Sequence, residues 1–169
     1  MNLEGLHLRA LEPEDLEVLE RIENDVEYWP YSNQTEPFSR YTLKHYINQQ
    51  TQDIFEVKQK RFVISSALKK ALGFIDLFDF EPLHRRAGVG VFVLEEYRTQ
   101  GVAATALRLL HVFVAEQLNL KNLYANVAKE NSRSVKLFTA AGYVAVGIKK
   151  DWNFYRGAYH DEVLYQKSL

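Results

Sequence analysis

The longest helical pattern in the chain runs from residue 103 to 118, where Ala103, Ala106, Leu107, Leu110, Val114 and Leu118 recur at steps of three and four. That is the period of one buried helical face. Just before it, Gly88-Val-Gly-Val-Phe-Val-Leu94 is a β-branched and aromatic run of strand character. The polar turn Glu95-Glu-Tyr-Arg-Thr-Gln-Gly101 joins the two. After the helix, Asn119 leads into a strand at Asn122-Leu-Tyr-Ala-Asn-Val-Ala128, so this region predicts a parallel crossover unit.

The flanking patterns are simpler. Leu6, Leu8 and Ala10 alternate with His7 and Arg9 as in a half-buried strand. Pro13 follows where a first helical turn tolerates it, and Leu16, Leu19, Ile22 and Val26 supply the buried face of that helix. The segment Glu27–Phe38 breaks periodicity, and its two prolines push Trp29 and Glu36 away from helical geometry, which predicts a loop rich in aromatic and acidic groups. A second helix is expected from about Ser39 to Gln50, with Leu43, Tyr46 and Ile47 inside. Arg61–Ala67 and Leu72–Phe80 read as a hairpin across residues 68–71. Asn131 suits the N-cap of a shorter helix with Val135 and Phe138 inward, ended by Ala140-Ala-Gly142. Strands over 143–154 and 159–166, turning at Arg156-Gly157, complete a single domain over 1–169.

Composition narrows the function classes. Twenty-one basic residues against 22 acidic ones leave no global basic field, so nucleic acid is not expected as a partner. The absence of cysteine excludes disulfides, a zinc–thiolate site and a cysteinyl intermediate. Apolar runs fall far short of a membrane span, and Met1–Glu4 carries no basic or apolar signal region, so the expectation is a cytoplasmic protein with no membrane partner. The five histidines are scattered without metal spacing, so they are read as structural and no metal is expected. The first helix has a strongly acidic outer face, including Glu17, Glu20 and Glu23; it is either a solvated surface or a field that draws a cationic substrate.

Arg98, Thr99, Gln100, Gly101, Val102 and Ala103 sit where strand gives way to helix. A helix start presents unpaired N–H groups carrying roughly half a positive charge, and an anion fits there. Gly101 and Ala103 keep the approach free of bulk, so a pyrophosphate could reach the backbone, with Arg98 beside it. If the parallel strands splay near this turn, an amide-bearing arm could pair with the backbone of Val91, Phe92, Val93 and Leu94. Asn131 and Ser134 would face the same slot.

Glu96-Tyr-Arg-Thr-Gln-Gly-Val-Ala-Ala-Thr-Ala-Leu107, followed by Asn131-Ser-Arg-Ser-Val-Lys-Leu-Phe-Thr-Ala-Ala-Gly-Tyr143, resembles the paired acyl-CoA signatures of the GNAT superfamily of N-acetyltransferases. Leu8-Arg-Ala-Leu-Glu-Pro-Glu-Asp15 and Tyr159-His-Asp161 resemble the ribosomal-protein and diamine acetyltransferase branch, and His84-Arg-Arg-Ala87 with Glu95-Glu-Tyr97 is most similar to spermidine acetyltransferases. The resemblance implies an α/β fold of the α+β kind: a mixed, mostly antiparallel seven-stranded sheet, flanked by about four helices and splayed at its central parallel strands. It also implies acetyl-CoA as co-substrate, with its pyrophosphate on Arg98–Ala103 and its pantetheine along Val91–Leu94. An acceptor amine, with a polyamine as the specific expectation, would attack the thioester directly.

Two familiar catalytic positions are vacant. The strand glutamate of many relatives corresponds to Gly88, and the tyrosine assigned as acid in the spermidine enzymes corresponds to Phe138. The remaining candidates are Glu36 on a loop resembling the acidic polyamine loop, Asn131 as the anchor of a water chain, and Tyr143 as a proton donor. Asp76 lies on a neighbouring strand. Acetylation of a protein N-terminus and a non-catalytic acyl-CoA-binding module are the other readings, and self-association is left open.

Overall fold

The computed structural model describes residues 3–32 and 34–169. Seven strands form one sheet: β1 His7–Arg9, β2 Lys60–Ser65, β3 Ala71–Glu81, β4 Arg86–Val93, β5 Asn122–Ala128, β6 Val144–Tyr155 and β7 Ala158–Ser168. Their spatial order is β1-β2-β3-β4-β5-β7-β6, and only β4 and β5 run parallel. Four helices have eight or more residues: α1 Leu16–Glu23, α3 Arg40–Gln49, α5 Val102–Glu116 and α6 Ser132–Ala140. Two single-turn α-helices, α2 Trp29–Ser32 and α4 Ile54–Val57, and two short 3-10 turns, Pro13–Asp15 and Glu95–Tyr97, are the other helical elements among the described residues. The mostly antiparallel sheet and its flanking helices thus match the fold expected from sequence.

Strand alternation splits the core into two layers. Ala87, Val89 and Val93 of β4 join Leu123, Ala125 and Val127 of β5 in a cluster with Ala106, Leu107, Leu110 and Val114 of α5 and Phe138 of α6. The opposite face of the sheet meets α1 and α3 through Phe74, Val63, Leu19, Ile22, Leu43 and Ile47. β6 is an edge strand with Val144, Val146 and Ile148 exposed.

Three local expectations change. α1 stops at Glu23, and Val26 is 62% exposed rather than part of its buried face. The cause is Asn24, whose side chain donates to the Phe38 carbonyl and accepts from the Phe38 amide, pinning the far end of the following segment. Within that segment Trp29-Pro30-Tyr-Ser32 forms one helical turn, because a proline in a first turn loses no intrahelical bond. The third change concerns α5, which ends at Glu116, two residues short of Leu118.

Candidate active site

The parallel ladder is short. β4 and β5 pair only at Arg86↔Asn122, Ala87↔Leu123 and Gly88↔Tyr124, so beyond Gly88 the two strands separate toward their C-terminal ends. The starts of α5 and α6, which follow the C-terminal ends of β4 and β5, lie at that opening. This is the slot the sequence anticipated.

At its mouth the backbone is held in an unusual shape. Thr99 has φ 60° and Gly101 φ 81°, both in the left-handed region that disfavours a β-branched residue. Gly101 is the N-cap of α5 and accepts from the Thr105 amide, leaving the amides of residues 102–104 without a carbonyl one turn back. The Val102 side chain is buried, so its part in an anion site is played by the backbone. Gln100 donates to the Glu96 carbonyl, which steadies the turn.

Arg98 behaves differently from the sequence expectation. Its Nε donates to the Val93 carbonyl at 2.9 Å and an Nη to the Tyr28 hydroxyl at 2.8 Å, while the guanidinium lies over the Tyr28 and Phe92 rings. It clamps the end of β4 to the segment after α1, so the unpaired donors of the candidate anion site are the α5 amides. Strand alternation corrects the β4 run as well. The Leu94 amide donates to the Leu72 carbonyl toward β3, so Phe92 and Leu94 direct their backbone groups to that side. Val91 and Val93 face the slot, with the Val93 carbonyl already used by Arg98.

Asn131 caps α6 by accepting from the Ser134 amide at 3.1 Å, as its position in the sequence suggested. Ser134 is half-buried in the first turn of the same helix. Tyr143 is a correction: it is 3% exposed, packs edge-on against Phe138, and its hydroxyl lies 3.1 Å from His111 Nε2. Burial holds the phenol above its ordinary pKa, and the whole of α6 separates it from Asn131. It is a core residue, not a donor facing the slot. Glu36 is exposed beyond α2, and its carbonyl accepts from the Gln34 side chain.

The vacant base position has a physical occupant. A Cβ built on Gly88 would lie 2.2 Å from the Phe78 ring, so the aromatic fills the space where a glutamate would stand. Beside it, Tyr124 meets Phe78 edge-on and donates to Asp79 at 2.7 Å. Burial, and then the Asp79 bond, raises the Tyr124 pKa. Asp76, opposite Gly90, takes two bonds from Arg61 at 2.7 and 2.9 Å. The same guanidinium bonds Glu23 and lies against Tyr46 and Phe74. Asp76 is therefore an ion-paired strand residue.

The sequence reading missed a group at the far rim. Glu130, in the connection between β5 and α6, accepts from the Tyr155 hydroxyl and lies 2.8 Å from His160 Nδ1. The Tyr155 and His160 rings stack with centroids 3.8 Å apart, and Tyr31 of α2 meets Tyr155 edge-on. Burial opposes the Glu130 charge, but the Tyr155 hydroxyl, the residue's own amide and His160 outweigh it and hold its pKa low. No short motif announces this cluster, since Tyr31, Glu130 and Tyr155 are far apart in sequence. The one local signal was Tyr155 and His160 flanking the Arg156-Gly157 turn.

Known proteins match this arrangement. The model of the Acetyltransferase (GNAT) domain matches residues 5–144. A spermidine N(1)-acetyltransferase of Vibrio cholerae is 30% identical over 162 residues, covering 92% of this chain and 88% of that protein. The Escherichia coli K12 spermidine N(1)-acetyltransferase is 30% identical over 165 residues, covering 94% and 83%. A crystal structure of the Vibrio cholerae spermidine N-acetyltransferase with CoA and spermine superposes with a TM-score of 0.88 at 27% identity, covering 98% of this chain and 96% of that one.

Proposed function

The chain belongs to the GNAT acetyltransferase family, and from that premise we propose an acetyl-CoA-dependent N-acetyltransferase, a single domain over 1–169, that modifies a primary amine of a polyamine such as spermidine. The observation that carries this reading is the slot opened by the three-residue parallel ladder, with the α5 amides and Gly101 at its mouth. Bound acetyl-CoA would supply the thioester as acyl donor.

The chain's own residues do the rest. The amides of residues 102–104 favour a diphosphate by charge and by hydrogen bonding, and the left-handed Gly101 lets it approach the backbone. Val91 offers slot-facing backbone to an amide-bearing chain. On the acceptor side, the exposed Glu36 favours a cation, whereas Glu20 and Glu23 of α1 are already paired with Arg40 and Arg61. An alkylammonium with a pKa of about 10.4 must lose a proton before attack, a requirement of roughly 4–5 kcal/mol at neutral pH. With Gly88 covered by Phe78 and Asp76 bound to Arg61, the proton leaves through water near the start of α6, where Asn131 supplies polar atoms. Holding the amine in line with the thioester provides the larger part of the rate. The exposed apolar residues of the β6 edge suit a homo-oligomer contact.

Release of CoA measured across a panel of amines tests the assignment. Spermidine and spermine should turn over faster than simple monoamines, and Glu36→Gln should raise KM for the amine without changing acetyl-CoA affinity. Inert polyamines beside another active amine would overturn the substrate class.

A further inference from the structure

The carboxylates around the β6–β7 hairpin fall into two kinds. Asp161 bonds Lys129 at 3.2 Å and Lys150 at 2.9 Å. Glu162 bonds Lys149 at 2.7 Å, and Glu27 bonds Arg156. Each of these faces a permanent cation. Glu130 does not: its partners are a tyrosine hydroxyl and a histidine, which is charged only when protonated. Both bonds arrive at Oε1, and the side chain is 44% exposed. Glu130 lines a cavity of about 510 Å³ together with Lys129, Tyr159, His160 and Asp161.

The surroundings suit an ammonium. The Tyr155 hydroxyl bonds Glu130 and the Tyr31 ring meets Tyr155 edge-on, so aromatic surface adjoins the carboxylate, while Lys129 of the same cavity is held by Asp161; an aromatic face near an anion attracts a cation. The location suits a second ammonium rather than the reacting one. Glu130 lies one residue before the α6 N-cap, at the end toward which β4 and β5 separate, whereas Gly88 marks the closed end of the slot. We propose that Glu130, bonded by the Tyr155 hydroxyl and lining a cavity with Tyr159 and His160, anchors the distal ammonium of a substrate carrying at least two amines, with His160 as the internal partner that the ammonium supplants. This deepens the polyamine reading and rests on it. The device separates polyamines from monoamines, because a monoamine at the thioester leaves Glu130 with His160.

The test compares spermidine with n-butylamine in wild type, Glu130→Gln and His160→Gln, by steady-state CoA release and by calorimetric spermidine binding in the presence of CoA. Glu130→Gln should raise KM for spermidine about 10–100-fold with kcat nearly unchanged, as expected for one charge-assisted bond, and leave n-butylamine within twofold. His160→Gln should lower KM for spermidine a few-fold. Equal losses on both amines in Glu130→Gln, or no loss on spermidine, would overturn the anchor while leaving polyamine acetylation intact. Spermidine that binds through Glu130 without turning over would uphold the anchor and overturn the reaction. No spermidine binding by wild type would overturn both. Acetyl-CoA affinity and melting temperature, unchanged in the variants, exclude a disturbed α6 cap.

Discussion

The two proposed sides of the slot are built from different materials. On the proposed cofactor side the groups are backbone: α5 amides, a left-handed Gly101 and slot-facing Val91. On the proposed acceptor side they are side chains from distant segments: Tyr31, Tyr155, Glu130 and His160. Backbone shape survives extensive side-chain replacement, so one acyl donor can be kept while the acceptor changes. Gly88 shows the contrast within a single strand, since it continues the ladder to Tyr124 while its missing side chain admits Phe78.

Restoring the familiar glutamate is the most severe way to break that contrast. In Gly88→Glu the new side chain begins 2.2 Å from the Phe78 ring and brings a charge into a buried strand position, so we expect a loss of more than about 3 kcal/mol in urea unfolding. Adding Phe78→Ala should recover part of it, making the double variant more stable than Gly88→Glu alone. A double variant no better than the single one would show that Phe78 is not what excludes the glutamate.

The cofactor end is next in size. Gly101→Val places a β-branched residue at φ 81°, with its Cβ 3.0 Å from Leu3 Cδ1, and so strains the start of α5. Acetyl-CoA affinity by calorimetry should fall at least about 100-fold, or about 2.7 kcal/mol. Retained affinity in a well-folded variant would mean that the α5 start is not the diphosphate site.

The same division explains what the sequence disclosed. The strand, turn and helix from Gly88 to Glu116 are local, so periodicity and one glycine at a helix start were enough to anticipate the slot. Asn131 was legible for the same reason, because an N-cap is decided within four residues. Arg98 was misread because its partner Tyr28 lies 70 residues away, and only tertiary contact turns the guanidinium inward. Phe78 over Gly88 depends on strand register, and Glu130 with His160 on the return of the β6–β7 hairpin; neither has a sequence pattern of its own. The one-turn helix at Trp29 escaped because a proline marks loops and first helical turns alike.

Tyr143 and His111 offer the mildest test, because they sit away from both ends of the slot. Burial, followed by the charge of Lys167, lowers the His111 pKa to about 4 from its ordinary 6.5. The folded state therefore resists protonation that the unfolded chain accepts. Stability is full above about pH 6.5, falls as pH drops toward 4 and levels off below that. Discounted for partial exposure of the ring, the effect is on the order of 1–2 kcal/mol. Urea midpoints at pH 7.5 and 4.5 should differ less in His111→Gln than in wild type, with acetyl-CoA affinity at pH 7.5 equal in the two proteins. Tyr143→Phe, which removes the hydroxyl but keeps the ring against Phe138, should leave kcat within about twofold, since the loss of one neutral hydrogen bond reaches stability and not the reaction. A kcat reduced a hundredfold would return Tyr143 to the slot as its proton donor and would mean that α6 turns its C-terminal end toward the substrate in the working enzyme.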